Sequence, residues 1–139
     1  MAYKFPSEEW IAEFGKAINA NEEYKRTAAT WEGPVALIFN AEPAIGLDED
    51  FCVWADLWHG ECREIKKVTL EEAQKAPYVI RGSYANWKQV VQGRLGPVKG
   101  MMQGKLKLKG NLPTIMKYVK ASDELVKCAA KVPSEFLDE

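Results

Sequence analysis

Two cysteines and the chain's only histidine, Cys52, His59 and Cys62, lie close together in the sequence. Thiolates and imidazole are the usual ligands of zinc. If His59 and Gly60 form the turn of a hairpin, Cys62 pairs with Leu57, and Cys52 lies five residues further along its strand. At about 3.3 Å per residue, the two thiols are then roughly 16 Å apart. We therefore expect no metal site here, but small hydrophobic thiols and an exposed turn histidine.

Other patterns that support catalysis or cofactor binding are also missing from the sequence. A histidine at a hairpin tip is poorly shielded from water, so His59 is a poor base for a Ser-His-Asp or Cys-His site. There is no G-x-S-x-G motif and no P-loop, and the glycines within 93–96 do not follow a strand. Asp48, Glu49 and Asp50 lack the spacing of an EF-hand and are typical of a solvated turn. The sequence thus predicts no catalytic residue, no bound metal and no cofactor.

The composition indicates one domain that spans residues 1–139. A chain of this length buries about two thirds of the surface that its unfolded form exposes, so one core suffices. With 19 basic and 20 acidic residues the net charge is −1, which gives no general attraction to nucleic acid or anionic membranes. The basic run Lys105, Lys107 and Lys109 alternates with leucines and is expected to form the solvent face of a strand. We expect no nucleic-acid partner and at most transient membrane contact.

The cysteine content and the ends of the chain favour the cytoplasm. Three widely spread cysteines do not suggest a disulfide framework and suit a reducing compartment. Residues 1–6 carry no leader pattern, and no segment approaches the roughly 18 continuous apolar residues of a membrane span. Residues 137–139 do not form a peroxisomal signal. A free-standing cytoplasmic protein is therefore expected.

Capping residues and periodicity predict several amphipathic helices. Ser7, followed by two glutamates, is expected to cap a first helix. Thr69 and Glu72 have the spacing of a capping box, and Ser83 is expected to cap another helix. The first helix carries an apolar stripe at helical spacing, formed by Trp10, Ile11, Phe14, Ala17 and Ile18. Further helices are predicted over 22–29, over 97–103 and from 113 to about 131.

Five strands are predicted among these helices, over 31–39, 51–58, 61–68, 78–82 and 105–109. The first is apolar throughout and suits a central strand. The second and third are joined by a tight turn and form a hairpin. Because strands and helices are largely segregated along the chain, the pattern favours an α+β fold with an antiparallel sheet.

The segment from Tyr78 to Lys120 resembles the sterol carrier protein type 2 family of small lipid carriers. It combines a tryptophan-bearing helix, a short methionine-rich helix and the alternating strand between two glycines. The residues that carry the resemblance are Trp87, Val90, Gly93, Leu95, Pro97, Met102, Gly104, Lys105, Leu106, Lys107, Leu108, Gly110 and Asn111. They span about a third of the chain. The first half fits the family only in the order of its elements.

The resemblance implies a five-stranded, mainly antiparallel sheet with about five helices covering one face and a hydrophobic tunnel between the two layers. From composition alone, a closed core is favoured over a tunnel. The implied ligand is a fatty acid, a fatty acyl-CoA or a sterol-like molecule, held by burial rather than by covalent chemistry. The C-terminal helix around Leu125, Val126 and Ala129 is implied to pack beside the tunnel.

The expected lining of the tunnel consists of apolar positions on the sheet and on the C-terminal helices, together with one amide. Methionines suit such a wall because they accommodate ligands of different shape. Gln103 either bonds the polar group of a ligand or ties down the backbone between Gly100 and Gly104. The expected lipid-binding residues are Trp31, Phe39, Val53, Val79, Trp87, Val91, Met101, Met102, Gln103, Leu106, Leu108, Ile115, Met116 and Val119.

Two other functions remain open at this point. One is a hydrolase or accessory subunit that acts on acyl thioesters, with Asp56 or Cys62 as base or nucleophile. The other is an interaction module that docks a thiolase-like protein of acyl-CoA metabolism through Trp54 or Trp58. A non-catalytic lipid carrier is the expected function.

Overall fold

The computed structural model of the chain describes residues 2–139, which form seven helices and seven strands. The helices are α1 (Glu8–Asn19), α2 (Glu22–Thr27), α3 (Leu70–Ala73), α4 (Tyr84–Val91), α5 (Pro97–Met102), α6 (Leu112–Met116) and α7 (Val119–Lys131). The strands are β1 (Tyr3–Phe5), β2 (Glu32–Phe39), β3 (Phe51–Trp58), β4 (Glu61–Val68), β5 (Tyr78–Gly82), β6 (Leu106–Lys109) and β7 (Ser134–Phe136).

Short polar side chains cap the starts of five of the seven helices. Ser7 accepts a hydrogen bond from the backbone of Trp10, and Ser83 accepts one from Asn86, so both predicted caps are confirmed. Thr69 and Glu72 form the predicted capping box of α3. The side chains of two asparagines, at positions 21 and 111, cap α2 and α6 in the same way.

The five predicted strands form one sheet in the order β4-β3-β2-β5-β6. The expectation of a mainly antiparallel sheet is corrected, because the sheet is mixed: β5 pairs with β2 in parallel. The chain leaves the edge strand β4, passes through α3 and returns beside the central strand. Since β5 then runs in the same direction as β2, a parallel pair results.

Next to its turn the hairpin of β3 and β4 has the predicted register, but the pairing shifts by one residue between Asp56 and Leu57. Leu57 pairs with Cys62 next to the turn, whereas Cys52 pairs with Val68 at the far end. His59 and Gly60 have φ angles of 48° and 80°. Positive φ at both central residues is typical of the two-residue hairpin turn that matches the twist of the strands.

Helices cover both faces of the sheet rather than one. The larger core lies between one face and α1, α2 and α4–α7. On the opposite face, α3 packs over a smaller apolar cluster formed by Ala36, Ile38, Cys52, Ala73, Ala76 and Val79. The short length of α3 allows it to cover only the middle of that face.

A two-stranded parallel sheet of β1 and β7 ties the two ends of the chain together, which the sequence did not predict. Phe5 of β1 is fully buried, and its ring lies 4.8 Å from that of Trp10 and 5.1 Å from that of Phe39. Among residues 2–139, every helix is too short or too polar to cross a bilayer.

Candidate functional site

The space between the sheet and the larger helical layer contains an apolar cavity of about 110 Å³. Its 24 lining residues include no charged side chain. They are Trp10, Phe14, Ile18, Tyr24, Ala28, Trp31, Val35, Leu37, Phe39, Ala55, Leu57, Ile80, Trp87, Val90, Val91, Pro97, Met101, Ile115, Tyr118, Ala121, Ser122, Leu125, Val126 and Ala129.

Strand alternation builds the floor of this cavity. Val35, Leu37 and Phe39 point to one face of β2, and Leu37 pairs with Val53 of β3 and Ile80 of β5. Although Leu37 lies in the central strand, it is only half-buried. We attribute its remaining accessible surface to the cavity, because strands flank it on both sides.

Helical spacing builds the roof. Residues 10, 14 and 18 of α1 and residues 121, 125 and 129 of α7 recur every four positions and line the cavity from above. Trp87 of α4 contributes its indole ring, which lies 5.0 Å from the ring of Phe39 in an edge-on arrangement. The cavity thus draws on helices from both halves of the chain.

The cavity has a closed end, where the lining residues are buried, and an open side, where they are half-buried. Every lining residue on α1, α2 and β3 is buried. Apart from Leu37, the half-buried ones belong to α5, α7 and the turn before α7, namely Pro97, Met101, Tyr118, Ser122, Leu125 and Val126. We call these six residues the mouth. A ligand that enters here would travel towards α2 and β3.

Most polar atoms on the wall already have partners within the protein. The indole N–H groups of Trp10, Trp31 and Trp87 donate to the Ser134 hydroxyl and to the carbonyls of Gly33 and Ile38, at 2.8 to 2.9 Å. At the mouth, the hydroxyls of Tyr118 and Thr30 lie 2.9 Å apart and share a hydrogen bond. The tryptophans therefore present only carbon surface to the cavity.

Six of the residues expected to bind lipid line this cavity, namely Trp31, Phe39, Trp87, Val91, Met101 and Ile115. Val53, Leu106 and Leu108 lie on the same side of the sheet but pack into the core beside the cavity. Val79 is on the opposite face, in the cluster beneath α3, because the neighbouring residue Ile80 faces the cavity.

Four expected residues lie on the protein surface instead. Met102, Met116 and Val119 are 66%, 46% and 42% exposed, so they are not on the cavity wall. Gln103 is also exposed and follows the last turn of α5. On α5 and α6 the preceding residue, Met101 or Ile115, faces the cavity. Successive residues of a helix are rotated by about 100°, so Met102 and Met116 point away from it.

The sequence did not predict that α1 and α2 contribute to the cavity wall. The spacing of Trp10, Phe14 and Ile18 predicts the buried stripe of a docked helix, and the structure places the same residues on the cavity wall. Their spacing was the available signal. It could not show whether the stripe packs against side chains or borders a cavity.

The side chains considered for thioester chemistry are unsuited to it. Burial raises the pKa of the Cys62 thiol to about 11, so it stays protonated at neutral pH. Both carboxylate oxygens of Asp56 accept from the Arg63 guanidinium, at 3.1 and 3.2 Å. His59 is exposed and pairs with Glu32 at the outer end of the sheet.

The residues considered as metal ligands are likewise engaged elsewhere. Cys52 is buried beneath α3, and burial raises the pKa of its thiol. Asp50 accepts hydrogen bonds from the Arg81 side chain and the Ala41 backbone, so this carboxylate fastens a loop to β5. Within the described part of the chain, no group of three or more histidine, cysteine, aspartate or glutamate residues has the arrangement of a metal site.

Comparison with solved structures reveals close structural relatives over nearly the whole chain. A crystal structure of sterol carrier protein 2 is 36% identical with a TM-score of 0.85, and the match covers 93% of this chain and 99% of that one. The solution structure of a protein from Thermus thermophilus, described as possibly a sterol carrier protein, is 35% identical with a TM-score of 0.86, covering 97% and 94%.

A more distant match is palmitated SCP2L2 from Aedes aegypti, at 12% identity and a TM-score of 0.58, covering 81% of this chain and 90% of that one. At this identity the likeness concerns the fold. A comparison with curated protein sequences gives no match. The model of the SCP-2 sterol transfer family matches residues 14–123, which include α2, the whole five-stranded sheet and most of the cavity wall. This chain belongs to the SCP-2 sterol transfer family.

Proposed function

We propose that this protein is a non-catalytic carrier that holds a fatty acid, a fatty acyl-CoA or a sterol-like lipid in the cavity, within the cytoplasm. The observation that carries the proposal is a wall of 24 uncharged, mostly apolar residues with a mouth at one side. Such a wall offers burial rather than chemistry. Each Å² of apolar ligand surface removed from water contributes about 25 cal/mol, before the costs of binding.

The cavity must enlarge to admit a lipid tail. Its volume of about 110 Å³ is less than the roughly 150 Å³ of an engineered protein cavity that binds benzene. The half-buried residues of the mouth are the part of the wall least constrained by packing, and most of them belong to α7 and the turn before it. We infer that α7 opens to admit the tail and then packs against it in the complex.

The description of the family as one of sterol transfer supports a lipid as the ligand. The arrangement of polar groups supports a carrier over a hydrolase of acyl thioesters. A thiol with a pKa of about 11 is a poor nucleophile, and the chain's only histidine lies at the outer end of a hairpin. Acyl-CoA, if it binds, is therefore expected to remain intact.

Native mass spectrometry of the freshly purified protein tests the carrier function directly. We expect a retained lipid, or a one-to-one complex after palmitoyl-CoA is added, with no release of free CoA over hours of incubation. Steady release of free CoA in proportion to protein concentration would establish a hydrolase instead. A failure to bind any fatty acid, acyl-CoA or sterol would contradict the proposal.

Hydrogen exchange tests the proposed movement of α7. Because α7 borders the mouth, a bound tail is expected to slow amide exchange within 119–131 more than in the strands. Helix α3 packs on the opposite face of the sheet and serves as the internal control, since its exchange should not change. Protection confined to the strands would refute the role of α7, while binding itself would stand.

A further inference from the structure

The side chain of Tyr24 occupies an unusual position for a polar group. It is only 2% exposed and lines the closed end of the cavity, on α2. Its backbone N–H donates to the Asn21 side chain that caps this helix, so the residue is held at a fixed point of the first turn. The Tyr24 hydroxyl, however, has no hydrogen bond with any other residue in 2–139.

The lack of a hydrogen-bond partner for the Tyr24 hydroxyl indicates that its oxygen is accessible from the cavity. Buried hydroxyls without a partner are rare, because they give up hydration without replacement. Within the described residues, no side-chain oxygen is both fully enclosed and without a partner. The Tyr24 oxygen therefore keeps some accessible surface, which we attribute to the cavity that its side chain lines.

The other polar groups of the wall do not share this property. The three indole N–H groups and the Tyr118 hydroxyl have partners in the protein. Ser122 lies at the mouth and is half-buried, so water can reach it. Tyr24 is therefore the deep polar group of the described wall that is still available to a ligand.

The surroundings of Tyr24 decide which ligand group it can receive. Burial, followed by the nearby thiols of Cys62 and Cys128, raises the pKa of the Tyr24 phenol far above its usual value. The hydroxyl thus remains a neutral group that can both donate and accept a hydrogen bond. No lining residue carries a positive charge, so a carboxylate at this depth would be desolvated without a counter-ion.

We propose that Tyr24 is the polar end of the binding site and forms a hydrogen bond with an uncharged hydroxyl or carbonyl group of a lipid that enters with this group first. The inference rests on the proposed function and narrows its ligand class. It favours lipids with a terminal alcohol, or a similar neutral group, over the ionised form of a fatty acid in this orientation. A ligand with a charged head would instead leave that head at the mouth.

The test compares 1-dodecanol with dodecane in wild type and Tyr24→Phe, by displacement of a fluorescent fatty-acid analogue. The substitution removes only the hydroxyl and keeps the ring that lines the cavity. We expect the affinity for dodecanol to fall about fivefold, the range of one neutral hydrogen bond, and the affinity for dodecane to stay the same or rise slightly. Tyr3→Phe is the matched control, because it removes a phenol hydroxyl from a residue that does not line the cavity. It should not change the affinity for dodecanol.

The outcomes separate this inference from the proposed function. Equal changes for dodecanol and dodecane in Tyr24→Phe, or no change for either, would overturn the role of Tyr24 while a carrier function remains. If the wild type binds the analogue but neither probe displaces it, the role of Tyr24 is overturned, and if the wild type does not bind the analogue either, the proposed function fails as well. The thermal midpoint of ligand-free Tyr24→Phe should not fall, because the hydroxyl that is removed has no partner in the described protein.

Discussion

Met101→Glu is expected to weaken lipid binding by about tenfold to 100-fold, equivalent to roughly 1.4 to 2.8 kcal/mol. Met101 is half-buried at the mouth, and its side chain forms part of the cavity wall. A carboxylate at this position can stay hydrated while the cavity is empty. It loses that hydration when an apolar tail fills the mouth, so the penalty falls on the complex rather than on folding. Titration with a fluorescent fatty acid measures the change.

Met102→Glu is the matched control, with the same change of charge on the next residue of α5. Met102 is 66% exposed, so a carboxylate there remains in water with or without a ligand. Its affinity is expected to stay within about twofold of the wild type, as for an ordinary surface substitution. Equal losses in both variants would indicate a general effect of negative charge. A larger loss of affinity in Met102→Glu than in Met101→Glu would contradict the placement of Met101 on the cavity wall.

The two methionines also illustrate what the sequence could and could not predict about the site. Both are apolar, adjacent and part of the segment that resembles the family, so the sequence placed both on the wall. A six-residue helix has room for one of them on its inner side, and Val98 and Gly100 already fix which side is buried. That orientation follows from packing against β6, which local periodicity does not specify over so few residues.

Many residues that carry the family resemblance hold the fold together rather than line the cavity. A Cβ atom added to Gly100 would lie only 3.0 Å from Leu106, so α5 packs tightly against β6 at this point. Gly104 and Gly110 have φ angles of 76° and 142°, which allow the chain to enter and leave that strand. The motif therefore predicted the elements well and the wall residues less well.

In the sheet, too, local sequence patterns predicted the strands but not all of the pairing between them. Alternation and turn residues identified all five strands of the sheet and the pairing of the β3–β4 hairpin next to its turn, but not the register shift between Asp56 and Leu57. They did not reveal that β5 pairs with β2, because the residues of β5 do not specify which strand it lies beside after the connection through α3. The cavity depends on this crossover, since it places Ile80 next to Leu37 on the floor.

Gly60→Ala is expected to lower the free energy of unfolding by about 3 kcal/mol, through two separate costs. Gly60 has a φ angle of 80°, and alanine in the left-handed region costs roughly 1 to 2 kcal/mol. In addition, its Cβ would lie 2.7 Å from the Cα and carbonyl oxygen of Lys25. Because these are backbone atoms of α2, the clash cannot be relieved by rotating a side chain, and overpacking of this kind adds about 1 to 3 kcal/mol.

Gly46→Ala separates the two costs, because Gly46 has a φ angle of 90° and no atom within 4 Å of its added Cβ. Only the backbone cost of roughly 1 to 2 kcal/mol should appear there, measured for both variants by urea denaturation with unchanged slope. Equal losses at the two positions would show that the hairpin turn and α2 are not in firm contact. The contact also bears on ligand binding, since Lys25 is the residue after Tyr24 and any displacement of α2 shifts the closed end of the cavity. We therefore expect Gly60→Ala, unlike Gly46→Ala, to weaken lipid binding even at temperatures where the variant remains folded.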